Sequence, residues 1–384
     1  MTVTRPAPQS AATRTGALTV PTPTDVVDLQ RVRAYPCVSV LLRTETAARM
    51  STTDTVRLHV LITEAGCRLE NEFGRREAAG LIAVLRALAA DAVGRATGAG
   101  LALFARPGEA SSWRLPVAVQ DRAVIDPSYA TRDLVRGLQV CPQLPVLVLT
   151  EHDARLFIRR EDTLVPAVGA FPVIGRRWST GSGTEAFPRL PSPQQVDADQ
   201  TSFLHAVDRA LGAHLRTDPA PFVVVGPPRT VGAFLRGARA SRHLAGVVAG
   251  HCEHDALPAL AAIVQPAIEH YLLFRQGEAV ELVDRRRSQG RAATGVRAAW
   301  RAARLERPEM LAVESGLFYP ARVGQDGTRL TEAADRTHPE VLDDAVDELI
   351  ETVLDRGGWI AFVDDGALAE HGRIALTVRA PDSG

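Results

Sequence analysis

Arginine is the side chain with the most chemistry to offer in this sequence. Arg285, Arg286, Arg287, Arg291, Arg297, Arg301, Arg304 and Arg307 crowd residues 285–307. Arg297, Arg301 and Arg304 stand at i, i+4 and i+7, which puts them on one face of a helix. Such a face can follow a phosphate backbone, with an affinity that drops as salt rises. The same spacing also suits an ordinary solvated face paired to acidic neighbours. A second set lies in the stretch 175–200, GRRWSTGSGTEAFPRLPSPQQVDADQ, which has no periodicity and reads as a long loop. Arg176 and Arg177 can pair with phosphate, and Trp178 can stack on an unpaired base. The residues alone fit either an arm entering an RNA-lined cavity or a solvated linker.

Other chemistry is less well supported. His251-Cys252-Glu253-His254 follows a strand-like run and contains zinc-ligand types, but it is one cluster without a partner cluster. Gly226-Pro227-Pro228-Arg229-Thr230 joins a strand to a helix. Its two prolines remove N–H groups that a phosphate cradle needs, so it reads as a turn. Asp343-Asp344 and Asp364-Asp365 are read as exposed capping and turn positions rather than a divalent-ion site. No catalytic residue, metal or cofactor is expected.

All 44 basic residues are arginine, which excludes a lysine nucleophile, a Schiff base and a P-loop lysine. The formal net charge is −1 against 46% hydrophobic residues, so a core is expected and a global basic field is not. Cys37, Cys67, Cys141 and Cys252 show no CxxC spacing, which suits a reducing cytosol. No run of about 18 apolar residues stands out, so no membrane span is expected.

The elements that must position these residues centre on 221–272. Phe222–Val225 is a β-branched run stopped by Gly226, and Val231, Phe234, Leu235 and Ala238 follow at helical spacing. Leu244–Ala249 is a second strand, and Ala256–Leu273 a second helix. This is a βαβ unit with parallel pairing. Before it, residues 25–35 read as a helix, 36–42 as a strand, a helix with Asp54 as its cap follows, and 76–92 form another helix. Strands at 100–105 and 113–119 close that part. Residues 144–149 and 154–158 form a hairpin, and a helix is expected from about Thr201 to Arg216. After the βαβ unit come helix 290–304, strands at 310–313 and 321–323, helix 342–354 stopped by Gly357-Gly358, and strands at 359–363 and 374–378. The α/β class is expected to divide into a disordered tail (1–24), an N-terminal domain (25–135), a middle domain (138–278) and a C-terminal domain (279–384).

In this order the segments resemble the bacterial branch of the archaeo-eukaryotic release factor and Pelota superfamily, over about residues 36–380. Pro36-Cys37-Val38-Ser39-Val40 with Arg57-Leu58, Leu61, Glu64-Ala65 and Leu69 is similar to the family's opening. Gly100–Phe104 with Leu115-Pro116 looks like the close of its first domain. Leu147-Val148-Leu149 with Ala154–Phe157 resembles the start of the second, and Phe222–Gly226 with Gly246–Gly250 its central strands. Gly295-Val296, Ala299, Met310–Val313, Gly357-Gly358 and Gly372–Leu376 resemble the third.

The resemblance implies an RNase H-like middle domain and an α/β C-terminal domain like ribosomal proteins that bind kink-turn RNA. It implies binding at the tRNA-entry (A site) region of the ribosome in rescue, recycling or hibernation, with a translation GTPase as a further partner. It also makes 175–200 the counterpart of the loop that carries Gly-Gly-Gln in true release factors. Here that loop holds Gly181-Ser182-Gly183-Thr184 and no Gly-Gly-Gln. Gly181 and Gly183 therefore join Arg176, Arg177, Trp178, Arg291, Arg297, Arg301 and Arg304 as RNA-contact candidates, and Gly-Gly-Gln-type hydrolysis is not expected. A peptidyl-tRNA hydrolase with a divergent loop and a non-ribosomal stress or protein-interaction module are the alternatives.

Overall fold

The computed structural model describes residues 19–161, 163–175, 193–250, 256–334 and 340–380. It is a mixed α/β fold with several sheets, and it divides into two compact units. One takes Met1–Val140 and Gln276–Gly384, the other Cys141–Arg275.

The first part opens with α1 (Pro23–Gln30). Thr22 caps it and Asp25 returns a bond to the Thr22 N–H, a reciprocal cap that satisfies two free donors. Of the segment 1–24 expected as a tail, Thr22 caps this helix and Thr19 bridges to Trp113. β1 (Cys37–Arg43) leads to α2 (Thr52–Phe73) and α3 (Arg75–Val93). Ser51, not Asp54, caps α2, because its side chain takes the Asp54 N–H. Asp54 is instead buried in the first turn and paired to Arg57.

β2 (Gly100–Arg106), β3 (Glu109–Leu115) and β4 (Arg122–Asp126) complete an antiparallel sheet of order β3-β2-β1-β4. β3 starts earlier than expected and ends where Pro116 removes a ladder donor. Val38, Val40, Leu101 and Leu103 face α2 and α3, while Cys37, Leu41 and Phe104 face α1 and α4 (Arg132–Val140).

The second unit is built on β5 (Pro145–Leu149), β6 (Asp153–Arg160), β7 (Thr163–Pro166), β8 (Val173–Ile174), β9 (Phe222–Gly226) and β10 (Leu244–Ala249). The order β10-β9-β5-β6-β7 pairs β9 in parallel with both neighbours, and β8 pairs with β6. β9 is buried on both faces, which explains its unbroken apolar run. A Cβ at Gly226 would overlap the Leu149 carbonyl, so this glycine is required by close strand approach rather than by a turn alone.

α5 (Pro193–Thr217) and α6 (Pro228–Gly237) cover one face with Val207, Leu211, Val231 and Phe234. α5 begins eight residues before the expected start at Thr201, with Pro193 in the first turn, where a missing N–H is harmless. The other face meets Leu260, Val264 and Ile268 of α7.

α7 (Leu257–Ser288) runs well past Leu273, the expected end. It is long and apolar enough to cross a membrane by length and composition alone, contrary to the sequence expectation, but these three residues are core. Further along, Ala279 and Val283 pack on a second sheet of the first unit. That sheet has the order β11-β17-β12-β16, from β11 (Ala292–Thr294), β12 (Pro308–Glu314), β16 (Trp359–Val363) and β17 (Ile374–Val378). α8 (Val296–Leu305) and α9 (Ala345–Asp355) lie on its other face. A small sheet of β13 (Ala321–Val323), β14 (Leu330–Glu332) and β15 (Val341–Leu342) sits beside them.

Candidate functional site

Helix α8 tests the arginine-face reading directly. Gly295 at φ 78° starts it, a backbone state that L side chains rarely adopt. Val296, Ala299, Trp300 and Ala303 are buried, and Trp300 Nε1 donates to the Gly327 carbonyl at 3.1 Å. Arg297 and Arg301 stand on the opposite side, exposed, and neither makes an ion pair or hydrogen bond among the described residues.

Arg304 does not join them as a free cation. Its side chain folds back over the Trp300 ring, 3.3 Å from the centroid, and its buried Nη1 has no hydrogen-bond partner. Burial lowers its pKa from the usual guanidinium value, with Glu348 opposing the shift. Arg291 is also structural. It donates to the Val378 carbonyl from Nε at 3.1 Å and Nη2 at 2.8 Å, and lies 3.9 Å from Glu309.

These contacts separate the four side chains by their expected mutational effects. Arg291→Ala should reduce stability by about 1–2 kcal/mol, since it leaves a carbonyl that two donors had satisfied. Arg297→Ala and Arg301→Ala should each stay within about 0.5 kcal/mol. Urea unfolding of the three variants side by side checks this ordering.

Arg304 borders a cavity of 310 Å³ that no motif pointed to. Arg33, Arg122, Asp126, Asp343, Asp344 and Asp347 also line it. Asp343 and Asp344 were expected to be exposed. Instead Asp344 is buried, capping α9 through the Val346 N–H and holding Arg132 at 2.9 Å. Asp343 pairs with the buried Arg122, also at 2.9 Å. Burial pushes the Asp126 carboxyl up to about 7, with the Asp343 charge adding to it. Three guanidiniums face five carboxyls in this lining, so the cavity presents no positive field for a polyanion.

Arg176, Arg177, Trp178, Gly181 and Gly183 lie outside the described residues, as do residues 251–255 with the His-Cys-Glu-His run. Among the described residues, no three His, Cys, Asp or Glu side chains converge as a metal site.

The structure brings together another basic set that sequence reasoning missed. Arg209 and Arg216 on α5 face Arg239 and Arg242 of the tight helical turn Arg239–His243 across a groove of 1420 Å³. The signal available beforehand was the seven-residue spacing of Arg209 and Arg216, with His205 four residues earlier. Nothing local in the sequence announces that the 239–243 turn lies opposite.

A family model described as bacterial archaeo-eukaryotic release factor family 3 matches residues 145–307, from β5 through α8. No curated protein matches the chain. Among solved structures, the chain is similar to the archaeal translation termination factor aRF1, at 14% identity over 92% of this chain and 96% of that one, with a TM-score of 0.24. A model of ribosome-bound archaeal Pelota and ABCE1 matches at 13% identity over 95% of each chain, with a TM-score of 0.43. Dom34 of S. cerevisiae, described as a translation termination-like factor interacting with Hbs1, matches at 11% identity over 72% and 75%, with a TM-score of 0.41. Over residues 145–307, less than half of its length, the chain is similar to the bacterial archaeo-eukaryotic release factor family.

Proposed function

We propose that this protein is a release-factor-like translation factor that binds the tRNA-entry region of the ribosome in rescue, recycling or hibernation. Similarity to the family model over residues 145–307 carries the reading. The exposed, unpaired Arg297 and Arg301 support contact with ribosomal RNA, since guanidiniums free of protein carboxylates are available to phosphate. In this reading Cys141–Arg275 corresponds to the family's RNase H-like domain, and the β11-β17-β12-β16 sheet with α8 and α9 to its kink-turn-binding domain. A translation GTPase is the further partner.

The sequence contains no Gly-Gly-Gln, so binding is proposed without hydrolysis of that type. Sedimentation with ribosomes across a salt series tests the proposal. Binding to empty ribosomes is expected, with loss when the A site is filled and weakening as salt rises. Peptide release from loaded ribosomes should stay at background. Failure to co-sediment at every salt concentration overturns the reading.

A further inference from the structure

We infer that the groove between α5 and the 239–243 turn is a binding site for the sugar–phosphate backbone of RNA. That the polyanion is RNA rests on the reading above; the groove itself stands on its own geometry. Arg209 and Arg216 lie two helical turns apart on α5, about 10 Å along the axis. Both are exposed, as are Arg239 and Arg242 on the facing wall.

No carboxylate among the described residues pairs with any of the four, and Arg242 bonds only to the His243 ring, at 3.0 Å. The walls are tied together without consuming this charge, because Asp208 accepts the Ala240 N–H at 3.1 Å. Asp197 and Asp208 are the two acidic residues in the lining, so guanidiniums outnumber carboxylates by four to two.

The dimensions and lining choose the class of ligand. At 1420 Å³ the groove exceeds the usual 300–1,000 Å³ of a small-molecule site. Its lining holds no Phe, Tyr or Trp, its two rings are the imidazoles of His205 and His243, and its one large aliphatic residue, Leu215, is buried. A protein partner would need apolar or aromatic anchors here. Base stacking would rest on two small imidazoles alone, and one of them, His243, is tied to Arg242. What remains is contact with phosphates, which is independent of base sequence.

The test is binding of a fluorescent single-stranded oligoribonucleotide of mixed sequence to the full-length protein, without ribosomes, from 50 to 200 mM salt. Four phosphate contacts give a slope of log K against log salt of about −2.8, a loss of about 50-fold over that range. Arg209→Gln with Arg242→Gln should halve the slope to about −1.4 and the loss to about sevenfold. Arg75→Gln, at an exposed side chain where α3 begins in the other unit, should leave the slope unchanged.

An unchanged slope in the Arg209/Arg242 variant overturns the inference. So does equal binding of polyglutamate of matched charge, which would make the site a general acidic-peptide groove. An intact thermal melt confirms that loss is not unfolding. Failure of co-sedimentation with persistent groove-dependent oligonucleotide binding would sink the ribosome reading alone; the converse would sink the groove alone.

Discussion

Replacing Arg132 by methionine is expected to destabilise the unit that holds it by about 3–5 kcal/mol, the range for breaking one side of a buried ion pair. Arg132 has no solvent exposure, and its partner Asp344 is 1% exposed. Its Nη1 also donates to the Leu317 carbonyl, and its Nη2 to the Ser315 carbonyl at 2.7 Å. The guanidinium lies 4.3 Å over the Phe318 ring. Removing it leaves Asp344 Oδ2 and two carbonyls without this partner, away from water, while Asp344 Oδ1 keeps the Val346 and Tyr319 N–H groups.

The interaction joins α4 to the start of α9, so the loss falls on the contact between the two four-stranded sheets of this unit. Adding Asp344→Asn should restore part of the loss, because asparagine keeps the α9 cap while removing the stranded charge. Lysine at 132 should rescue poorly, since one ammonium cannot reach all the acceptors the planar fork spans. Urea unfolding of the single and double variants measures these differences. A loss under about 1 kcal/mol for Arg132→Met would show that the network relaxes or admits water.

The second large effect is a fall in stability between about pH 5 and pH 8.5. Asp347 and Glu351 lie one turn apart on α9, both buried, and like charges at that spacing repel. Burial is the main force pushing Glu351 up to about 8. Arg33 lies 2.8 Å away and opposes the shift, but it is half in water and cannot reverse it. Burial and the Glu351 charge raise Asp347 well above the ordinary aspartate value. Asp126 reaches about 7.

In the unfolded chain these groups titrate near 4. Between pH 4 and their folded values, the folded state therefore holds more protons than the unfolded state, and stability decreases as pH rises. The part of the decrease that Glu351 causes ends once it has ionised, a little above pH 8. Glu309 and Glu314 act in the opposite direction, since both are held below the ordinary value. Their contribution is complete above about pH 4.5 and is lost only on acidification. From pH 5 to 8.5 the expected loss is several kcal/mol, since Asp126 contributes over about two pH units and Glu351 over about three, at about 1.4 kcal/mol per unit.

Asp126→Asn combined with Glu351→Gln should flatten the profile and raise stability at pH 8.5. Denaturant midpoints across pH for wild type and variant check this. A wild-type profile that rises through this window would mean that Asp126 and Glu351 are already ionised in the fold.

Much of this protein is legible from local pattern. The β-branched run at 222–225 reads as a strand buried on both faces because β9 lies between two parallel neighbours. The helical repeat of Leu260, Val264 and Ile268 marks the side of α7 that meets the sheet. The spacing of Arg297 and Arg301 places them together on the side of α8 away from the buried Val296, Ala299 and Ala303. These outcomes follow from 2- and 3.6-residue periods, which neighbouring residues alone define. The absence of lysine and of Gly-Gly-Gln is likewise a property of the chain itself.

Tertiary structure decided the rest. Arg304 shares the helical spacing of Arg297 and Arg301, yet it folds over Trp300 beside a cavity that β4 and α9 help to line. Asp343-Asp344 has the composition of a surface turn, and only the docking of Arg122 and Arg132 buries its charges. The groove needs Arg209 and Arg239 to face each other, although they lie thirty positions apart with β9 and α6 between them. A residue's period tells which way it points from its own element. What it then meets is set by strand order and by how helices lie across the sheets, and those depend on partners distant in the chain.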